Sequence, residues 1–537
     1  MVHMSALTHE SGEISRLEEE SVRSKTNSRA TRALFVAVVT LGTVATAACS
    51  GPSDDPDVTA TTTSPAAACT PMLADPPVAP ALADTIWPSE HADPWRTHAV
   101  ATGPDIDRDD PKLTATSIAM PPVPVWGYTG TDGELYVIGG APYLLDMFTE
   151  VILDPGTRVP PLVPKSKRYS ETVTPYVARI DPAAMSVEVI ELTEGTSANY
   201  TGGLLVHENG SLYAVSRSTL YKIDRSTFTM TASQALPLAP DASGEPNPAT
   251  AYNGMVATAD GDLILKGWAS TGGGDDAPGL LLRIDPDDLS TKAQLETTVI
   301  TSARMAMVES DGVEHIYMPG KTDSLRFRVD ADAFVLDEAF SQPYLEADTG
   351  QSQASSDIFM GEGVVFTDNT SPTATTPMRM FSQSVAGAGS PLAELQAFDG
   401  DDPSWNFFMV AGDPYRSGMV VVADQLGGQL AGYRACAGGE EVRRVWSEKL
   451  AGSAGVAIDY ERGILYADDR SCAGDECDLF VVAIDLETGE ELTRVAVAGT
   501  KPSIGQIFIG PDGAVYYPAT ETGEDAGFLT RVTVPSG

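Results

Sequence analysis

Along most of the chain, short apolar runs come in pairs, each pair split by a polar turn that carries glycine. The pairs read YTGTDGELYVIG, LLVHENGSLYAV, MVATADGDLILKG, MVESDGVEHIYM, FMGEGVVFTD, PYRSGMVVVAD, IDYERGILYAD and FIGPDGAVYYP. Runs this short, bounded by Gly, Asn and Asp, predict antiparallel strand pairs. The turn glycines are Gly133, Gly210, Gly261, Gly312, Gly363, Gly418, Gly463 and Gly513, and after a longer first interval they recur about every fifty residues. A third strand follows in many units and ends in Asp, as at Asp181, Asp224, Asp285, Asp330 and Asp485. Tight turns such as DPAA, DRST, DPDD or DLETG then lead to a fourth strand such as SVEVIEL or EELTRVAV.

Four antiparallel strands in about fifty residues make one blade of a β-propeller. The expected fold is therefore all-β, with eight blades of four strands. Seven is the alternative, because the fifth and sixth units are degenerate. A β-sandwich array or a β-solenoid is the other reading, and eight units of this period speak against it. The last unit ends at FLTRVTVPSG with no room for a fourth strand. A segment between about Thr97 and Ala119 is expected to supply it and close the ring, which removes two exposed sheet edges.

The first part of the chain does not share this pattern. Ala33 to Ala48 is an apolar run preceded by Arg29 and Arg32 and followed by Cys49-Ser50-Gly51. A basic stretch, a short apolar stretch and small residues at a cut site describe a secretory signal, and the run is short for a membrane span. Its end, Thr46-Ala47-Ala48-Cys49, resembles a bacterial lipobox, with Thr46 where Leu is usual. The resemblance implies that Cys49 is lipidated and becomes the mature N-terminus; simple cleavage near Ala48 is the alternative. Glu18, Glu19 and Glu20 do not suit a signal, so translation is suspected to begin at Val22. Residues 1–48 are thus expected to be a signal peptide, 49–85 a lipidated flexible tether rich in Ser, Thr, Pro, Ala and Asp, and 86–537 the propeller.

Charge narrows the partners. The net charge of −41 repels phosphate backbones and anionic headgroups, so no nucleic acid is expected and the membrane is reached through the lipid alone. If lipid consumes Cys49, Cys69, Cys436, Cys472 and Cys477 remain, an even number suited to an oxidising compartment. Cys472 and Cys477 are expected to form a local disulfide, which leaves Cys69 to pair with Cys436.

The run Asp485-Leu-Glu-Thr-Gly-Glu-Glu-Leu492 resembles the "DAxTGxxLW" repeat of PQQ-like, quinoprotein-dehydrogenase-type propellers, with Thr493 in place of the closing Trp. Trp87-Pro-Ser-Glu-His-Ala-Asp93 is similar to the "WPxxxxD" segment that precedes the first blade in that superfamily. The resemblance spans roughly residues 85–537. It implies the fold, and it leaves function open between dehydrogenases and assembly lipoproteins.

Catalytic signals are sparse. The adjacent Cys-Cys pair of quinoprotein alcohol dehydrogenases is missing, as are HExxH and GxSxG. His207 and His315 read as packed or surface residues. Asp105, Asp107 and Asp109 alternate as in a Ca²⁺ loop, but Asp110 stands where Gly is needed and Thr116 where Glu is needed. No catalytic residue, metal site or cofactor is expected; PQQ or Ca²⁺ belongs to the oxidoreductase alternative.

A binding face can still be expected. The turns joining first to second and third to fourth strands are short and share one face. The second-to-third loops, 138–175, 268–279, 367–377, 468–478 and 518–527, share the other, and long loops on a rigid scaffold commonly carry function. The first of them places Tyr143, Leu144, Met147 and Phe148 on a predicted helix that begins near Pro142, beside Lys165, Lys167 and Arg168. It would be a lid over the channel or a docking patch for a protein or small-molecule ligand. The chain therefore reads as a lipid-anchored, extracytoplasmic binding or assembly module of the cell envelope without catalysis. The competing reading is a PQQ-dependent oxidoreductase or a propeller-type hydrolase.

Overall fold

Burial falls from the inner to the outer strand of every unit, which explains the pattern above. In the first blade Pro124–Thr129 and Leu135–Gly139 are wholly buried, whereas Ser186–Glu191 alternates between exposed and half-buried. The first two strands have neighbouring sheets on both faces and so read as continuous apolar runs. The fourth borders solvent and reads as an alternation.

A computed structural model describes residues 69–535, apart from 141–172, 195–200, 270–277 and shorter loop stretches. Its strands form eight sheets, one per unit, with four strands as the basic antiparallel set. The seven-blade alternative is thereby excluded: the degenerate fifth and sixth units are complete blades, Ile358–Phe359 through Ala393–Gln396 and Val410–Asp413 through Glu441–Lys449. Ring closure follows the expectation. Thr114–Met120 is the outer strand of blade 8, antiparallel to Gly527–Thr533, with Thr114 opposite Thr533 and Met120 opposite Gly527.

Apolar side chains fill the spaces between blades. Tyr128, Ile138, Leu204, Leu212 and Tyr221 form one such cluster between blades 1 and 2, each contributing on the order of 1.5–3 kcal/mol on burial. One joint depends on a close approach. Trp446, in the outer strand of blade 6, lies against Gly489 in the DLETG turn of blade 7 and donates its indole N–H to the carbonyl of Leu486 at 2.9 Å. A Cβ at Gly489 would fall 2.7 Å from the indole ring, and its φ of +78° also favours glycine. The turn aspartates work as their positions suggest. The Asp485 carboxylate, for example, accepts the N–H groups of Glu487 and Thr488.

Three expectations are corrected. In blade 5 the left-handed turn residue is Gly361, with φ +88°, and Gly363 opens the second strand instead. Residues 468–473 and 476–478 are strand, not loop: Ile464–Ala473 and Glu476–Asp485 pair in register through Cys472 opposite Cys477. The flexible stretch placed up to residue 85 is, from Cys69 onward, fixed against the wheel. A disulfide joins Cys69 to Cys436, Met72 N–H donates to Ala435 O at 2.9 Å, and Ala83 N–H donates to Val206 O at 2.9 Å.

Candidate functional site at the hub

The segment following that strap organises the centre of the wheel. Trp87–Val100 lies along the innermost strands, and its carbonyl oxygens accept their N–H groups in succession. Trp87 and Pro88 accept from Thr129 and Val206, Pro94 and Trp95 from Met307 and Phe359, and Thr97 and His98 from Gly412 and Ile458, all at 2.8–3.0 Å. These donors belong to blades 1, 2, 4, 5, 6 and 7. The segment ends as Ala99–Val100, parallel to Ala457–Asp459. Inner strands of a closed ring have no neighbour on the axis side, so this hoop satisfies main-chain donors that the wheel leaves open.

The hoop is strained and charged. His91, Ala92, Arg96 and His98 all have left-handed backbone, with φ of 64°, 79°, 64° and 59°. Such residues persist only where surrounding structure holds them. Glu90, buried, pairs with Arg96 at 3.6 Å and with Arg304 of blade 4, whose guanidinium lies 4.7 Å from the Trp126 ring centre. Lys266 is buried beside them and donates to the carbonyl of Ala303. Burial, then the charges of Arg304 and Arg96, hold its ammonium well below the usual lysine range. Arg96 is lowered to about 10 by burial, with Glu90 opposing the shift. Asp357 is fully buried, and neither of its carboxylate oxygens has a hydrogen-bond partner among the described residues. Burial pushes its pKa well up, with only the charge of Arg96 pulling it back.

Two histidines complete the hub. His98 Nδ1–H donates to the carbonyl of Val456 at 3.0 Å, which leaves Nε2 to accept from Nδ1–H of His91. Burial lowers both, His98 to about 3, with the charge of Arg96 adding to the effect.

Beneath the hub, on the short-turn face, the strap crosses the mouth of the channel. It leaves blade 6 at Ala74, whose N–H donates to Pro414 O, and reaches blade 2 at Ala81, whose carbonyl accepts from Glu208. Blades 6 and 2 are opposite in a wheel of eight, so the strap is a diameter. Recesses of about 640 and 300 Å³ flank it.

No family model and no curated protein matches the sequence. Among solved structures, the quinohemoprotein alcohol dehydrogenase from Comamonas testosteroni superposes with a TM-score of 0.56 at 10% identity, over 84% of this chain and 82% of that one. The likeness is one of fold, an eight-bladed β-propeller. A europium-containing methanol dehydrogenase gives 0.40 at 11% identity, over 85% of this chain and 98% of that one. The Dos1 propeller gives 0.46 at 10% identity, over 79% and 96%.

The likeness to a quinohemoprotein raises the question of a quinone and its Ca²⁺. The described hub residues do not fit the ion. Ca²⁺ takes six to eight oxygens, usually from several carboxylates, whereas Glu90 is committed to two arginines and Asp357 stands apart. Among the described residues no group of three or more His, Cys, Asp or Glu is placed to hold a metal ion.

Of the residues singled out in the sequence, Cys69 and Cys436 are joined as expected. Cys477 is disulfide-bonded, and its cross-strand register partner is Cys472. Cys49, Tyr143, Leu144, Met147, Phe148, Lys165, Lys167 and Arg168 lie outside the described residues. His207 is a packed residue, accepting Asn209 N–H at 3.1 Å and donating to Gly261 O at 3.0 Å. Sequence reasoning missed the hub itself. The available signal was the density of Trp, Glu, His, Asp and Arg in WPSEHADPWRTH, a stretch with neither strand nor helix period.

Proposed function

We propose that this chain is a lipid-anchored, extracytoplasmic propeller that acts by binding, as a recognition or assembly module of the cell envelope, and that it does not catalyse a reaction. The observation that carries the reading is the short-turn mouth, where strap and hub hoop leave a recess of about 640 Å³, a size that suits a ligand site. The hub charges support it too, because Glu90, Arg96 and Arg304 answer one another. The anchor reading rests on Cys49 and the apolar run before it.

Two measurements test this. Cys49→Ser should move the protein from the membrane fraction to the soluble fraction and abolish labelling by radioactive palmitate. Adding PQQ with Ca²⁺ should leave the visible spectrum and melting temperature unchanged. A quinone spectrum with thermal protection would overturn the binding reading in favour of the oxidoreductase.

A further inference from the structure

The larger recess has a chemistry of its own. Its roof is the strap, Pro76-Pro77-Val78-Ala79-Pro80, and its floor is the hub hoop around Ala92, Asp93 and Val100. Tyr415 and Tyr460 stand at one side with ring centres 4.8 Å apart, and Trp95 stacks behind Tyr415 at 6.1 Å. Three acids line the recess, Asp84, Asp93 and Glu208, and among the described residues no Lys, Arg or His does. Asp93 accepts hydrogen bonds from Tyr415 OH at 2.7 Å and from Thr97, yet burial outweighs them and raises its carboxyl above the usual range.

We infer that the recess between strap and hub, walled by Tyr415 and Tyr460 and edged by Asp84, Asp93 and Glu208, binds an organic cation with an apolar body, such as a substituted ammonium compound. A cation over aromatic faces is attracted to the ring electrons, and the apolar roof excludes water from the rest of the ligand. The carboxylates then supply the opposite charge. The volume of about 640 Å³ suits a molecule of drug size. This rests on the binding-module reading but not on the lipid anchor.

The test is calorimetric titration of the purified full-length chain with three probes of similar shape: benzyltrimethylammonium, its uncharged carbon isostere neopentylbenzene, and benzoate. The expected result is saturable binding of the ammonium alone. Affinity should fall at least tenfold in Tyr460→Ala and in Glu208→Gln, and stay within twofold in Glu309→Gln, which lines the smaller recess and not the larger one. Equal binding of the isostere, no binding of the ammonium, or affinity indifferent to both recess variants overturns the assignment. A chain that ignores the ammonium yet stays indifferent to PQQ and Ca²⁺ loses this ligand class and keeps the binding-module reading.

Discussion

Replacing His98 by Asn should remove the part of the fold's acid sensitivity that this histidine carries. The folded protein holds His98 at about 3, while the unfolded chain returns it to 6.5. Between these values the unfolded state takes a proton that the folded state refuses. Stability from this residue is therefore fully present above pH 6.5 and is lost as pH falls towards 3. The loss is about 1.4 kcal/mol per pH unit, or about 2 kcal/mol at pH 5. Asparagine suits the site because its Nδ2 can take the place of Nδ1 in the bond to Val456 O, and because it tolerates a φ of 59°. Urea unfolding followed by tryptophan fluorescence at pH 7.5 and pH 5.0 gives the comparison. The wild type should lose about 2 kcal/mol more than His98→Asn between the two pH values. Comparing the two proteins cancels groups of opposite sign, such as Asp368, which burial raises to about 6 and which therefore favours the folded state on acidification. Equal losses, within about 0.5 kcal/mol, would refute the reasoning.

Two further outcomes follow from the joints of the wheel. Gly489→Ala should destabilise the blade 6–blade 7 joint by about 2–5 kcal/mol, from strain at φ +78° plus a methyl 2.7 Å from Trp446, seen as a lower urea midpoint and red-shifted emission. Cys436→Ser should release the strap and leave the blades intact, so limited proteolysis should cut between residues 70 and 84 while the far-ultraviolet circular dichroism stays the same.

The wheel was legible because each blade repeats a local signal: glycine turns, aspartates that accept their own turn N–H groups, and inner strands apolar on both faces. Blade closure was legible as well, since the final unit visibly lacked a strand that a segment near Thr97–Ala119 could supply. The hub was not. Glu90 finds Arg304 and His98 finds Val456 only after the ring has formed, and no spacing in the sequence announces contacts that distant. The strap was misread for a related reason. A run of Pro and Ala without apolar periodicity has the composition of a tether, and what fixes it is a cysteine 367 residues away. The strands at 468–473 and 476–478 read as loop in the sequence because the glycine and acids there mask a register that the two cysteines keep.

Blade 8 takes its outer strand from Thr114–Met120 and the rest from the last residues of the chain, so Thr114 meets Thr533 across 419 positions. A ribosome or a secretion channel delivers these two ends at different times. Until the second arrives, blade 8 lacks strands and the hoop has no complete ring to line. The protein therefore commits to its final shape late, with the loop-closure entropy of nearly the whole chain at stake in one pairing. Loss of even Gly527–Thr533 would leave an open arc with two free edges in place of a wheel.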